Sequence, residues 1–477
     1  MTRRTKIVAT IGPASDDADS LRRLIAAGVD VVRLNLSHGP IDEHLVRLGR
    51  VRAAAAATGR PVAVLADLPG PKIRTGEFPG GGVELAAGGH VDLRAGTSPS
   101  TAELIQVGYD TLADDLSVGD RIVLGDGAIS MRITANDATT LRAIIETGGR
   151  TQGRPGVHLS SERLRLSTPT ALDLVLAEQV AAAGVEFVAV SFVRTAQDVL
   201  DVRAVVGDRA EIVAKIETSA ALAHLTGIIE VSDAIMVARG DLGIDCPLED
   251  VPHLQKSIVR QCVEFGLPVI TATQMLESMV TAPSPTRAEV TDVANAIFDG
   301  TDALMLSGET AIGHDPVLTV TTMSTIAERA EREAHYRQWA SRLGRVQRER
   351  WDSVNDRVTA ALTHAASEAA LDVDASAILC CTTSGRTAKA MARFRPDRAL
   401  IALSPSPHTV RALALTWGVE PLSVETYDTT DEMVWFAVER AVHVGCIQRG
   451  DTVVVLAGSA NRSASTAADV LRIVQVQ

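Results

Sequence analysis

Three residues in the stretch Ile212–Gly243 have the types and spacing for chemistry on an anion. The stretch reads IVAKIETSAALAHLTGIIEVSDAIMVARGDLG and carries Lys215, Glu217 and Asp241. VAKIE and IMVARGD are short β-branched runs that end in charge. Between them Ala221, Leu222, Leu225, Ile228 and Ile229 fall at helical spacing. This pattern predicts strand, helix, strand, with the lysine and both carboxylates near the C-terminal ends of two successive parallel strands. In α/β folds that edge is where ligands bind. One lysine with two carboxylates there suits a cation-assisted reaction on an anion; the plainer alternative is a salt bridge at strand ends.

Other strand-like runs end in comparable clusters. They are Arg33-Leu-Asn35-Leu-Ser37-His38-Gly39, Asp67-Leu68-Pro-Gly-Pro-Lys72-Ile-Arg74, Thr273-Gln274-Met275-Leu-Glu277 and Leu306-Ser307-Gly308-Glu309-Thr310. Bases for phosphate, carboxylates for a divalent cation and hydroxyls for proton handling make up the toolkit of phosphoryl transfer, where positioning and charge neutralisation dominate. Any one cluster could be a cap or an ion pair; five on one rim point to function.

A (β/α)8 barrel would bring these ends together. Strands are predicted at Lys6–Ile11, Val29–Leu34 and Pro61–Ala66, then at Phe187–Phe192, Ile212–Ile216, Ala234–Ala238, Pro268–Ala272 and Ala303–Leu306. Their near-continuous apolar character is that of parallel strands covered on both faces. Helices are expected at Ser20–Ala27, Ile41–Thr58 and Pro316–Glu333, among others. Between residues 70 and 167 the rhythm breaks into Gly-rich, alternating runs such as HVDLRA, DRIVLG and AISMRITA, which read as an inserted all-β lid of antiparallel strands. The expected organisation is therefore a barrel of residues 1–69 and 168–340, a lid of residues 70–167, and an open α/β domain of residues 341–477. In the last, strands are expected at Ala377–Cys381, Leu400–Leu403, Glu420–Val424 and Thr452–Leu456, after a polar connector at Arg337–Asp352.

Composition narrows the class. With 46% hydrophobic and 22% charged residues over 477 positions, the chain can build large cores without staples. A net charge of −13 argues against nucleic-acid and membrane-surface binding. The five cysteines form no metal-binding spacing, and their aliphatic neighbours suit buried free thiols in a reducing cytoplasm. Neither a signal-peptide core nor a bilayer-crossing run is visible.

Taken together, the motifs TKIVATIGPAS, VVRLNLSHG, GPKIRTG, IVAKIE, VARGDLG, ITATQMLESM, PTRAEVTDVANAIFDGTDALMLSGETAIG and TTSGRTA resemble those of the pyruvate kinases, over essentially the whole chain. The resemblance implies a barrel with an inserted β lid and a C-terminal regulatory domain. It implies transfer of the phosphoryl group of phosphoenolpyruvate to ADP, a cytoplasmic homotetramer, and no nucleic-acid or membrane partner. By the same resemblance Arg33 and Lys215 bind the phosphoryl group. Glu217 and Asp241 hold Mg²⁺ or Mn²⁺. The Gly240 and Asp241 backbone N–H groups and the Thr273 hydroxyl hold the substrate carboxylate, with Arg239 orienting their loop. Thr273, Ser307 and Glu309 belong to the network that protonates the enolate, and Asn35, His38 and Arg74 face the nucleotide.

Two departures from the family pattern matter. Potassium-dependent members carry DTKGPE, whose Asp and Thr join Asn and Ser of the preceding motif around K⁺. This chain reads DLPGPK, so Asn35, Ser37 and Asp67 remain, Leu68 replaces the threonine and Lys72 replaces the glutamate. A lysine ammonium is a point cation, and the resemblance to potassium-independent members implies that K⁺ is dispensable. The lid lysine usual before the GVNLP-like motif is also absent; GRPGVHLS has Pro155 there, with Arg154 beside it. In the last domain Thr382, Thr383, Ser384, Gly385, Arg386 and Thr387 follow a strand and open a helix, a geometry suited to phosphate. In the family this is an effector cradle, which implies activation by a phosphorylated metabolite; AGSANRSAST lacks the tryptophan-and-arginine pattern of fructose-bisphosphate-activated relatives. Two rivals are a barrel mutase or lyase, which needs no nucleotide arginine or lid, and a degenerate sensor, which would have lost Lys215, Glu217, Asp241 or Thr273.

Overall fold

The computed structural model describes residues 3–125, 127, 129–160, 168–334, 336, 354–458 and 468–477. Eight parallel strands close into a barrel: Lys6–Thr10, Val31–Asn35, Ala63–Asp67, Phe187–Val190, Glu211–Ile216, Ala234–Ala238, Val269–Ala272 and Ala303–Leu306. Each pairs with its neighbours in sequence and the first pairs with the last, Lys6 opposite Ala303. The β-branched runs form strands because both faces are buried. One face packs on the surrounding helices, and the other fills the barrel with Val8, Val31, Leu65, Phe187, Val213, Met236, Ile270 and Met305.

The C-terminal unit plugs the N-terminal end of the barrel. Ala412, Ala414 and Leu415 join the interior cluster, and the buried Lys6 ammonium donates to the Val419 carbonyl at 2.8 Å. The unit's five-stranded sheet runs Val419–Ser423, Ala399–Ser404, Ala377–Cys381, Thr452–Ala457, Val470–Gln475. The first four strands are parallel. The last is antiparallel and has no counterpart among the sequence expectations, because its half-exposed edge residues carry no continuous apolar run.

Residues 78–160 form a six-stranded sheet and a two-stranded sheet around their own core, which includes Phe78, Leu93, Ile122 and Met131. One pair departs from the expected antiparallel pattern: His90–Ala95 and Leu104–Val107 are parallel. A short helix, Leu112–Asp115, lies among these strands. The helix expected between Lys215 and Asp241 is two helices, Ser219–Ala223 and Leu225–Val231, because His224 leaves helical geometry at φ −115° and ψ 16°. The expected connector at Arg337–Asp352 lies wholly outside the described residues, as do residues 161–167 and most of AGSANRSAST. Among the described residues no helix is long and apolar enough to cross a membrane.

Candidate active site

The strand ends gather around Asp67, the last residue of the third barrel strand, which is 1 % exposed. Arg33, from the second strand, donates through Nε to one Asp67 oxygen at 2.7 Å and through Nη1 to the Thr10 hydroxyl at 3.0 Å. Lys215, from the fifth strand, lies 3.2 Å from the other Asp67 oxygen and 3.0 Å from Glu217, and donates to the Ser191 hydroxyl at 2.7 Å. Burial disfavours both charges, but the pairing outweighs it. The Asp67 carboxyl is held below its usual range by Lys215 and Arg33, and the Lys215 ammonium above its own by Asp67 and Glu217. Two cations thus share one buried carboxylate, and one of them, Lys215, also meets Glu217.

Glu217 behaves differently. Burial pushes its carboxyl up to about 7, and Asp241 adds to that effect, against the pull of Lys215 and of the Phe192 N–H, which donates to it at 2.6 Å. Asp241 stands in the first turn of Arg239–Asp245 with its side chain 32 % exposed. Two facing carboxylates whose charges oppose one another, with oxygen donors only, suit a hard divalent cation that fills its shell with water and substrate. Among the described residues no group of three or more His, Cys, Asp and Glu side chains is gathered to cage a metal by itself.

The seventh strand delivers Thr273 and the exposed Gln274, both in the left-handed region at φ +70° and +54°. The Thr273 hydroxyl accepts from the Gly240 N–H at 2.8 Å and donates to the Ala272 carbonyl at 2.6 Å. The Gly240 N–H is therefore engaged by Thr273 in this state rather than open. Arg239 spans the same turn, donating to the Ala272 and Thr273 carbonyls at 3.2 and 2.6 Å. After the eighth strand the fully buried Glu309 accepts from the Ser307 and Leu276 N–H groups at 2.6 and 3.1 Å. Its carboxylate ties two strand ends together.

On the other flank the Asn35 side chain accepts from the Ser37 N–H at 3.2 Å, and the His38 N–H donates to the Asn35 carbonyl at 3.3 Å. Burial, with Lys72, Arg74 and Arg33 near by, lowers the His38 pKa. Lys72 is exposed, and its ammonium is also lowered by partial burial and by Arg74 and Lys215, while Asp67 pulls the other way. A further cation thus sits in the field of Asp67. Leu68 buries its side chain in the core, and its carbonyl accepts from the Ser191 hydroxyl at 2.7 Å. Gly70, at φ +67°, lets this loop cross Ser191 and Phe192, where a Cβ would meet both at 2.9 Å. The Arg74 guanidinium donates to the Arg154 carbonyl at 3.0 Å and Arg154 to the Thr75 carbonyl at 3.4 Å, so both are engaged at the root of the lid. From the lid, His158 places Nδ1 3.9 Å from Asp241.

A family model of the pyruvate kinase barrel domain matches residues 2–320, and one of the pyruvate kinase α/β domain matches residues 360–474. The chain belongs to the pyruvate kinase family. It is 43% identical over 464 residues to the pyruvate kinase of Geobacillus stearothermophilus, covering 96% of this chain and 78% of the relative. Against the pyruvate kinase of Clostridium acetobutylicum the identity is 38% over 462 residues, covering 96% of both chains. Against that of Agrobacterium vitis it is 40% over 457 residues, covering 96% of this chain and 95% of the relative.

The barrel thus brings Arg33, Lys215, Glu217, Asp241, Thr273, Ser307 and Glu309 to one rim, and the flank holds Asn35, Ser37, His38, Lys72 and Arg74. Thr382–Thr387 lies apart, on the C-terminal sheet. There the Thr382 hydroxyl accepts from the Gly385 N–H at 3.0 Å, Gly385 turns at φ +81°, and Arg386 donates to Ser384 at 3.3 Å. Thr383, Ser384 and Arg386 are exposed, whereas Thr387 is buried. Sequence reasoning missed Ser191, which links Lys215 to the Leu68 carbonyl. Its only signal is a hydroxyl just after the apolar run Phe187–Val190, a position shared with many capping serines.

Proposed function

We propose that this chain catalyses transfer of the phosphoryl group of phosphoenolpyruvate to ADP, giving pyruvate and ATP, in the cytoplasm. The observation that carries the reading is the pairing of Arg33 and Lys215 on one buried carboxylate beside Glu217 and Asp241. In this reading Arg33 and Lys215 hold the phosphoryl group, and Lys215 also neutralises charge on the transferring group and on the enolate oxygen. Glu217 and Asp241 hold Mg²⁺ or Mn²⁺, which when bound offsets phosphate charge and orients substrate oxygens. The Thr273 hydroxyl, with the Gly240 and Asp241 N–H groups, receives the substrate carboxylate once the Gly240–Thr273 bond exchanges for substrate. Thr273 and Ser307 lead a proton to the enolate carbon, and Glu309 contributes by fixing the Ser307 backbone. Asn35, His38 and Arg74 face the nucleotide.

Lys72 is the substitute for K⁺ in this reading, supported by its position in the field of Asp67 and by the buried Leu68 side chain. The three-unit division (residues 1–69 with 168–340, 70–167, and 341–477) is supported by the separate sheets and, for the lid, by a core of its own. Thr382–Thr387 is the cradle for a phosphorylated activator, supported by its exposed Thr383, Ser384 and Arg386. A homotetramer is supported by the outer antiparallel strand Val470–Gln475 and by exposed Trp435 and Phe436 on the last domain. Four of the five cysteines are buried free thiols, which suits a reducing compartment. One assay tests the central reading: pyruvate formation from phosphoenolpyruvate with and without ADP. Pyruvate only with ADP supports it; equal pyruvate without ADP would assign phosphatase or lyase chemistry instead.

A further inference from the structure

The turn after the seventh barrel strand is a strained element in the middle of the candidate site. Two consecutive non-glycine residues, one of them β-branched, stand in the left-handed region, where a Cβ crowds the backbone. Such a conformation persists only when its surroundings over-determine it.

The surroundings here are mainly one guanidinium. Arg239 donates Nε to the Ala272 carbonyl at 3.2 Å, and Nη2 to the Thr273 carbonyl at 2.6 Å and the Met275 sulfur at 2.8 Å. Its remaining edge is turned away from the rim. There Nη1 donates to Asp292 at 2.8 Å and to Gln255 at 3.3 Å. Asp292 belongs to the helix Arg287–Asp299, and Gln255 donates back to Asp299 of that helix at 3.0 Å. The same helix holds the far end of the loop, because Glu289 accepts from the Ser278 N–H at 2.7 Å and from its hydroxyl at 2.5 Å. With every edge of the Arg239 fork directed at protein groups, this arginine is built to hold the turn rather than to meet a substrate.

We propose that Arg239, backed by Asp292, is a positioning residue that keeps Thr273 and Gln274 left-handed and so holds the Thr273 hydroxyl against Gly240. Its effect on turnover rests on the phosphoryl-transfer reading of the rim; its effect on geometry does not. Lysine at position 239 keeps the charge but cannot span two carbonyls, and asparagine at position 292 keeps the shape but removes the counter-charge. Because Asp292 is 37 % exposed, its loss weighs less than that of the fork.

The test uses full-length Arg239→Lys and Asp292→Asn, each alone and combined with Gln274→Gly. Glycine enters the left-handed region without a Cβ penalty, so it relieves the strain that the clamp opposes. Turnover is expected to fall at least tenfold in Arg239→Lys and about three- to fivefold in Asp292→Asn, mostly in kcat. Mn²⁺ affinity without nucleotide, read by electron paramagnetic resonance, should stay within about twofold, since Glu217 and Asp241 are untouched. Adding Gln274→Gly should recover at least half of the logarithmic loss in each. Independently of activity, the Gly240 amide should exchange with deuterium at least tenfold faster in Arg239→Lys and slow again in the double variant. Turnover and Gly240 exchange that match wild type in Arg239→Lys, or a loss that Gln274→Gly does not relieve, would overturn the proposal. A wild-type enzyme inactive with phosphoenolpyruvate and ADP would instead refute the functional reading, with the exchange data still deciding the clamp.

Discussion

Replacing Lys215 by methionine removes one charge from the centre of the rim while keeping most of the aliphatic stem. The ammonium is 3.0 Å from Glu217, 3.2 Å from Asp67 and 2.7 Å from the Ser191 hydroxyl. Removing one member of a buried pair costs roughly 3–5 kcal/mol, chiefly because its partner is left uncompensated. Arg33 stays 2.7 Å from Asp67, so the expected loss of stability lies near the lower end, about 3 kcal/mol. The loss of turnover is a separate quantity. A fixed charge directed at developing charge is worth about 10²–10³-fold in kcat, or ~3–4 kcal/mol. Pyruvate formation measured at saturating substrates reads the second, and urea unfolding reads the first. A Lys215→Met enzyme turning over within tenfold of wild type would refute the role given to this lysine.

Other consequences are equally accessible. Lys72→Ala should lower turnover in K⁺-free tetraalkylammonium buffer by about tenfold, the effect of one exposed charge worth ~1–2 kcal/mol at close range, and KCl should restore part of it. Loss of wild-type turnover on omitting K⁺ would contradict the substitution. Chelating the divalent cation should abolish turnover and leave the thermal transition of the substrate-free protein nearly unchanged, because the barrel closes through its apolar strands; a cooperative collapse on chelation would contradict that. Burial holds the His44 imidazole below its usual range, with Nε2 2.7 Å from the His38 carbonyl. The unfolded chain therefore takes up this proton first as pH falls below about 6.5, so the stability from neutral His44 is present above that value and lost in acid. His44→Gln should show a flatter fall of Tm between roughly pH 7.5 and 5.5 than wild type; parallel curves would contradict it.

Much of this architecture is legible in the sequence because parallel strands buried on both faces leave an unmistakable signal. VAKI, AIMVA and VITA are such runs, and the polar and charged residues at their ends stand at one end of the barrel. The misses have physical causes. Val470–Gln475 is an edge strand whose exposure erases its apolar signature, and His224 breaks a helix that periodicity alone extends through it. Ser191 looks like any strand-end serine until the fold sets it beside Lys215. Glu309 reads as a candidate proton carrier, yet both of its oxygens are bound to backbone N–H groups. Backbone strain is also silent: nothing in the letters of Thr273 and Gln274 shows that both sit at positive φ.

Phosphorus-31 NMR of phosphoenolpyruvate and ADP with Mg²⁺, in K⁺-free buffer, tests the central claim most directly. The reading predicts that the phosphoenolpyruvate resonance is replaced one for one by the γ-phosphate of ATP. It also predicts that Lys215→Met leaves both substrate resonances nearly unchanged over the same interval. Growth of inorganic phosphate in place of ATP, or undiminished transfer by Lys215→Met, would contradict it.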